Sequence, residues 1–304
     1  MRFKKFSKNQ IITSLLIIVI LAVCCYIYEY KGINKVTSNY DGSNLTVHTL
    51  DVGQADSILL QLPHNQTMLI DAGNNNDGEY IIDYLKALNI SKIDYLIATH
   101  PHEDHIGGMD DVVDELEIGK MYVPVLPSTY DMTRNYQSVL NSAKNKKITP
   151  YEIDSSLGNL ITDGQLKIDV IAPREEAIYS DLNNYSICLR VQFYDTVMLF
   201  MGDAEDISEK DIMNYSNAEL DADILKVGHH GSRDSSIQKF LDKVTPKTAI
   251  ISCGKDNDYG HPHSEAIERF NKMGTKIYRT DEFGTIVITC DNTGYTIGTA
   301  TLND

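Results

Sequence analysis

The chain has 304 residues, 42% hydrophobic and 23% charged, which is enough apolar content for a sizeable core and unlike a disordered or fibrous sequence. Its formal net charge is -16. Residues 1–35 hold six of the 27 bases and one of the 43 acids, so the remainder stands at -21, which excludes a broad basic surface for nucleic acid.

Residues 1–10 form a basic segment, and Ile11 to Tyr28 is an apolar run of 18 residues, IITSLLIIVILAVCCYIY. That length predicts a transmembrane helix, and Lys4, Lys5 and Lys8 before it predict a cytoplasmic N-terminus with the bulk of the chain outside. No A-x-A cleavage site follows, and Leu21-Ala22-Val23-Cys24 only loosely resembles a lipid-attachment signal. An uncleaved anchor is therefore favoured over lipidation and over simple secretion. Residues 29–43 read as a polar tether and 44–304 as one domain.

Within that domain, Leu45–Leu50, Ser57–Leu62 and Met68–Ile70 read as strands, Glu79–Leu88 as an amphipathic helix and Ile93–Ala98 as a strand. Gly108–Leu116 and Arg134–Ala143 read as helices. Cys188, Cys253 and Cys290 match no zinc or redox spacing and read as buried core residues. The pattern then repeats. Asp94-Tyr-Leu-Ile-Ala-Thr-His100 has the layout of Asp223-Ile-Leu-Lys-Val-Gly-His229 at an offset of 129, which Ser57-Ile-Leu-Leu and Ser186-Ile-Cys-Leu share. Met68-Leu-Ile-Asp71 resembles Met198-Leu-Phe-Met-Gly-Asp203, with the offset drifting to 132. Two such β-β-α-β units predict two sheets packed face to face with helices outside, a four-layer αββα sandwich of α/β class.

The chemistry concentrates in Thr99-His100-Pro101-His102-Glu103-Asp104-His105-Ile106-Gly107-Gly108, four potential ligands within six residues after a strand. An extended H-x-H stretch can aim His100 and His102 at one ion, and a helical turn can carry Asp104 and His105 to a second. The Gly107-Gly108 pair allows tight backbone packing beside them. His48 and His64 lie outside any cluster and read as structural or solvent-facing. His263 reads as a helix entry, and Ser235 as the cap of a helix starting near Ile237.

This H-x-H-x-D-H string, with Leu-Ile-Asp71-Ala-Gly upstream and Phe-Met-Gly-Asp203 downstream, resembles the metallo-β-lactamase superfamily of hydrolases. Leu50-Asp-Val-Gly-Gln-Ala-Asp56-Ser57, Lys226-Val-Gly-His229-His230-Gly-Ser232, Tyr259-Gly-His261-Pro-His263 and Tyr278-Arg279-Thr280-Asp281-Glu-Phe-Gly284 are similar to the hydrolase domain of ComEC competence proteins. The resemblance runs from about Leu45 to Ile297. It implies two divalent ions, Zn²⁺ or Mn²⁺. His100 and His102 would hold the first, Asp104, His105 and one of His229 and His230 the second, and Asp203 would bridge both. The repeat favours His229. Asp71 would orient ligand histidines through hydrogen bonds. The third histidine usual for the first ion is absent between Met109 and Met201, and Asn184 is its expected stand-in.

Two such ions can activate water for attack on phosphorus, with His261, then His230, as candidate general acid and Ser232 as a phosphate contact. The expectation is a phosphodiesterase acting on DNA, nucleotides or cell-surface phosphodiesters. The alternatives are a hydrolase of a lactam or thioester, or an accessory domain with little activity in DNA uptake, any channel being a separate protein.

Overall fold

The computed structural model describes residues 39–300, except 217; the expected basic segment, anchor and most of the tether lie outside the described residues. No helix among the described residues is long and apolar enough to cross a membrane.

The chain begins with strands β1 (Leu45–Thr49), β2 (Ile58–Leu62) and β3 (Gln66–Ile70). Helix α1 (Gly78–Ala87) then leads to β4 (Lys92–Ile97), two short helices α2 (Glu103–Ile106) and α3 (Met109–Glu115), and β5 (Glu117–Pro124). Helix α4 (Arg134–Asn145), whose first turn is capped by the Thr133 hydroxyl accepting from Tyr136 N, joins β5 to β6 (Tyr151–Ile153). The second half opens with β7 (Asn159–Asp163), β8 (Leu166–Ala172), β9 (Cys188–Phe193) and β10 (Thr196–Phe200). It continues through α5 (Asp206–Tyr215), β11 (Ile224–Lys226), α6 (Gln238–Val244), β12 (Thr248–Ile251), α7 (Ser264–Met273) and β13 (Lys276–Arg279). A short α8 (Thr280–Phe283) turns the chain into the hairpin β14 (Thr285–Asp291) and β15 (Gly294–Ala300), which returns to the first sheet.

Two sheets result, ordered β15-β14-β1-β2-β3-β4-β5-β6 and β13-β12-β11-β10-β9-β8-β7. The repeat is visible in the pairing. β2–β3 is antiparallel and β3–β4–β5 parallel, and β9–β10 is antiparallel and β10–β11–β12 parallel. Each sheet is apolar on both faces, as a sheet covered on both sides requires. Val47, Leu60, Ile70 and Ile97 meet Val170, Leu189, Phe200 and Ile250 between the sheets. The outer faces pack under helices, Leu69 and Leu96 beneath α1 and α3, Leu199 and Leu225 beneath α6 and α7. This is the four-layer αββα arrangement. Cys188, Cys253 and Cys290 are buried and unpaired.

One apolar-looking position carries a charge. Lys226 occupies the place in the second half that Ile97 holds in the first, in register with Phe200 and Ile250 on the inner face. Its Nζ reaches across to Asp56 Oδ2 at 2.7 Å, with both side chains 2% exposed. An apolar residue there would be expected from the pattern, and the reason for lysine is this cross-sheet partner.

Candidate metal centre

The loop after β4 is anchored before it reaches any ligand. Asp71, directly after β3, accepts from Thr99 N at 2.8 Å and Thr99 Oγ1 at 2.6 Å through its two oxygens, and from His105 Nδ1 at 2.7 Å. Asp56 N donates to Asp104 O at 3.0 Å. Gly107 is pressed against the chain at Asn74–Asn75; a Cβ there would lie 2.3 Å from Asn75 N, so only glycine fits. Two extra residues, Met201 and Gly202, separate Asp203 from the end of β10, whereas Asp71 follows β3 directly. Those residues carry Asp203 forward into the cluster.

Four imidazoles converge on Asp203. His105 Nε2 lies 3.1 Å and His230 Nε2 3.6 Å from its Oδ1; His100 Nε2 lies 3.9 Å and His229 Nε2 3.8 Å from its Oδ2. Asp104 Oδ2 is 3.3 Å from His230 Nε2 and 4.0 Å from His105 Nε2, and His102 Nδ1 is 3.1 Å from His100 Nε2. The other ring nitrogen of each converging histidine is taken. His105 Nδ1 meets Asp71, His230 Nδ1 donates to Ser252 O at 3.0 Å, and His229 Nδ1 meets Glu205 Oε1 at 3.1 Å. His100 Nδ1 meets the Thr99 hydroxyl at 3.1 Å and the Ser186 hydroxyl at 3.3 Å. With the proton held at Nδ1, each Nε2 is left as a bare acceptor, the form in which histidine binds a cation.

The residues fit a metal. His105 Nε2, His230 Nε2 and Asp203 Oδ1 are buried without a hydrogen-bond partner, an arrangement that native interiors rarely tolerate. Asp104, His105, Asp203 and His230 offer one ligand atom each within 4.8 Å of one another. Burial alone would hold His105 down, but Asp203, Asp71 and Asp104 overcome it and raise it well above the usual imidazole range. Asp203 is drawn well below the carboxylate range against its own burial, chiefly by His105 and His230. Burial and then His105 push His100 the opposite way, well below its ordinary value. A cluster that draws protons onto buried rings is one that a divalent cation satisfies with the rings neutral.

The two adjacent histidines divide differently from the sequence expectation. His230, with Asp104 and His105, takes the place expected of His229, and His229 faces the Asp203 oxygen that His100 faces. Asn184, the expected stand-in for a histidine, is turned away: its Oδ1 accepts from Glu205 N and Ser208 N, and its Nδ2 donates to Glu205 Oε2. Ser232 is buried in a local turn, its Oγ accepting from Asp234 N. Ser235 does not cap α6. Its hydroxyl donates to Gly228 O, and Glu209 accepts from Ser236 N and Ile237 N instead. His263 Nδ1 accepts from Arg233 N; His48 is buried between Tyr84 and Gln61, and His64 is exposed beside Asp163.

A cavity of about 490 Å³ opens over the cluster, walled by His102, Glu103, Asp104, Asp203, His229 and His230, with Gln54, Asn74, Asn183, Tyr259 and His261 around them. His261 is pushed down to about 4, by burial first and then by His229 and His230, so its ring is neutral near pH 7. The sequence reading gave no role to Glu205, Asp56, Lys226 or Gln54. The charge of Lys226 within an apolar strand was the available signal for the pair it makes with Asp56.

The family model of the metallo-beta-lactamase superfamily matches residues 50–255. The chain belongs to that superfamily. It is 30% identical over 281 residues to ComE operon protein 3 of Bacillus subtilis, covering 87% of this chain and 35% of that protein. It is also 27% identical over 237 residues to competence protein ComA of Neisseria gonorrhoeae, covering 78% and 31%. The chain thus spans about a third of the length of these relatives. Among solved structures, Tm1679, described as a metal-dependent hydrolase of the β-lactamase superfamily, superposes with a TM-score of 0.50 at 16% identity, covering 77% of this chain and 95% of that one. CmlA, a diiron β-hydroxylase from Streptomyces venezuelae, has the same TM-score and identity, covering 80% and 53%. These two likenesses concern the fold.

Proposed function

We propose that the chain is a metal-dependent phosphodiesterase carrying two divalent ions, Zn²⁺ or Mn²⁺, held outside the cytoplasm by an anchor at residues 11–28. The observation that carries it is the division of ligand atoms between the two oxygens of Asp203. His105, His230 and Asp104 would hold one ion beside Oδ1, and His100, His102 and His229 the other beside Oδ2. Nitrogen-rich sets with one shared carboxylate suit first-row ions. Such ions, when bound, polarise a phosphoryl oxygen and lower the pKa of water.

The chain's own residues supply the rest. Asp71, Ser252, Glu205 and Thr99 hold the rings in their ligand tautomers, and the cavity wall offers polar groups to an anionic substrate. The names of the relatives, the two competence proteins above and recombination protein 2 of Haemophilus influenzae, 25% identical over 272 residues and covering 88% of this chain and 31% of that protein, favour a nucleic-acid phosphodiester over a lactam. An accessory role without catalysis would leave this set of aligned acceptors unused. The -21 charge outside residues 1–35 fits a small or single-stranded target better than a long duplex.

The test is hydrolysis by the full chain, loaded with Mn²⁺ or Zn²⁺, of bis-p-nitrophenyl phosphate, a single-stranded oligonucleotide and nitrocefin. Cleavage of the phosphodiesters is expected, with a loss of more than about 100-fold and reduced metal content in Asp203→Asn. Turnover of nitrocefin alone, or none by fully metal-loaded protein, overturns the reading.

A further inference from the structure

His261 is held by two neighbours that metal binding does not require. Gln54, from the loop between β1 and β2, spans to the loop after β12. Its Oε1 accepts from Gly254 N at 3.0 Å, which fixes the orientation of the amide. A Cβ on Gly254 would lie 2.7 Å from Gln54 N, so glycine there allows the two loops to seat together. With Oε1 committed to a backbone N–H, the Gln54 amide nitrogen is the group that meets His261 Nδ1, at 3.3 Å. An amide nitrogen only donates, so Nδ1 accepts and carries no proton. Asn257 clamps the backbone of the same residue, accepting from His261 N at 3.0 Å and donating to His261 O at 2.5 Å. The ring stacks on Tyr259 at 21° and stands 5.2 Å from the His229 ring. Its Nε2 has no protein partner among the described residues, and the residue lines the cavity over the metal cluster.

We propose that Gln54 is a positioning residue that fixes His261 as the neutral Nε2–H tautomer, so that the ring offers a hydrogen bond to a substrate oxygen. A neutral imidazole with a bare Nδ1 has its one proton on Nε2. A carboxylate partner would accept from a protonated Nδ1 and favour the imidazolium, whereas the amide N–H aimed at Nδ1 disfavours any proton there. The role is therefore a fixed dipole aimed at an oxygen on which negative charge grows, and no proton changes owner. The substrate half of this inference rests on the phosphodiesterase reading above; the tautomer does not.

The experiment uses the full chain with ¹⁵N-labelled histidine and bound Zn²⁺. Long-range ¹H–¹⁵N correlation reads the proton position, and the His261 signals are identified by their loss in His261→Gln. Wild type is expected to show a bare Nδ1 and a protonated Nε2. Gln54→Glu keeps an acceptor for Gly254 N and so preserves the loop contact, but it should move a proton onto Nδ1; Gln54→Leu should give a mixture of tautomers. Against an alkyl phosphodiester, at a pH high enough that the Gln54→Glu ring is neutral with its proton on Nδ1 and Nε2 bare, that variant should lose about 10- to 100-fold in kcat with KM changed less than about threefold, and Gln54→Leu about twofold. A protonated Nδ1 in wild type, or a bare Nδ1 in Gln54→Glu, overturns the tautomer assignment. Unchanged kcat in Gln54→Glu at that pH overturns the hydrogen bond to substrate. Absence of any phosphodiester turnover by wild type refutes the phosphodiesterase reading and the substrate half with it, while the spectrum still decides the tautomer.

Discussion

Replacing Lys226 by methionine removes one partner of a buried ion pair and leaves the other in place. Asp56 and Lys226 are each 2% exposed and 2.7 Å apart, and Asp56 Oδ1 has no hydrogen bond of its own. Methionine fills the space of the lysine stem among Phe200, Ile250 and the inner-face residues, so the cavity left is small and the loss is electrostatic. Breaking such a pair costs about 3–5 kcal/mol, a fifth or more of the stability of a typical domain and about 10 °C in melting temperature for a domain of this size. The pH dependence adds a signature. In wild type, burial pushes Asp56 up, but Lys226, His230 and His105 together bring it below its ordinary value. Its contribution is therefore present above the unfolded carboxylate pKa and is lost as pH falls. In Lys226→Met the burial dominates, the folded pKa is raised, and proton uptake by Asp56 relieves the deficit as pH falls. Urea unfolding at pH 7 and pH 4.5 should show the gap between variant and wild type shrinking toward acid. Pairing Lys226→Met with Asp56→Asn should recover about 2 kcal/mol or more, since the stranded charge is then gone. A variant as stable as wild type at pH 7, or a gap that widens at pH 4.5, would refute this account.

Two further outcomes follow from the placement of neighbouring residues. His230→Gln should remove the ion held with Asp104 and His105, and His229→Gln the one held with His100 and His102. Metal content would fall by about one equivalent in each, and Co²⁺ spectra would lose different bands, provided that His230 and His229 serve different ions. Asn184→Ala should lower stability by about 1–3 kcal/mol, because Glu205 N and Ser208 N lose their acceptor, yet keep its full metal content. Loss of an ion in that variant would restore the asparagine to the ligand set.

The architecture was legible because its signals are local and doubled. Short apolar strands between helical stretches, the 129-residue offset and the H-x-H-x-D-H string each specify elements whose pairing follows from ordinary sheet rules. The division between His229 and His230 was not legible. The repeat aligned His229 with His100, and both do face Asp203 Oδ2; the same comparison is silent on which oxygen the adjacent His230 faces. That is set by the backbone, since both residues adopt left-handed φ, 47° and 51°, which fans their rings to opposite sides of one carboxylate. Such a conformation costs of order 1 kcal/mol for each non-glycine residue, and no residue type signals it. The partnership of Asp56 with Lys226 spans 170 positions, and that of Gln54 with His261 spans 207; only the folded loops bring either about. Asn184 stands at the expected place along the chain, but its amide is used up by backbone groups at the start of α5.

His105 is gripped from two directions, by Asp71 of the first half through one ring nitrogen and beside Asp203 of the second through the other. A ring so held cannot take its place until both halves have docked. A half-assembled chain therefore lacks the completed cluster, and the candidate metal centre comes into being only as the last contacts between the two halves close.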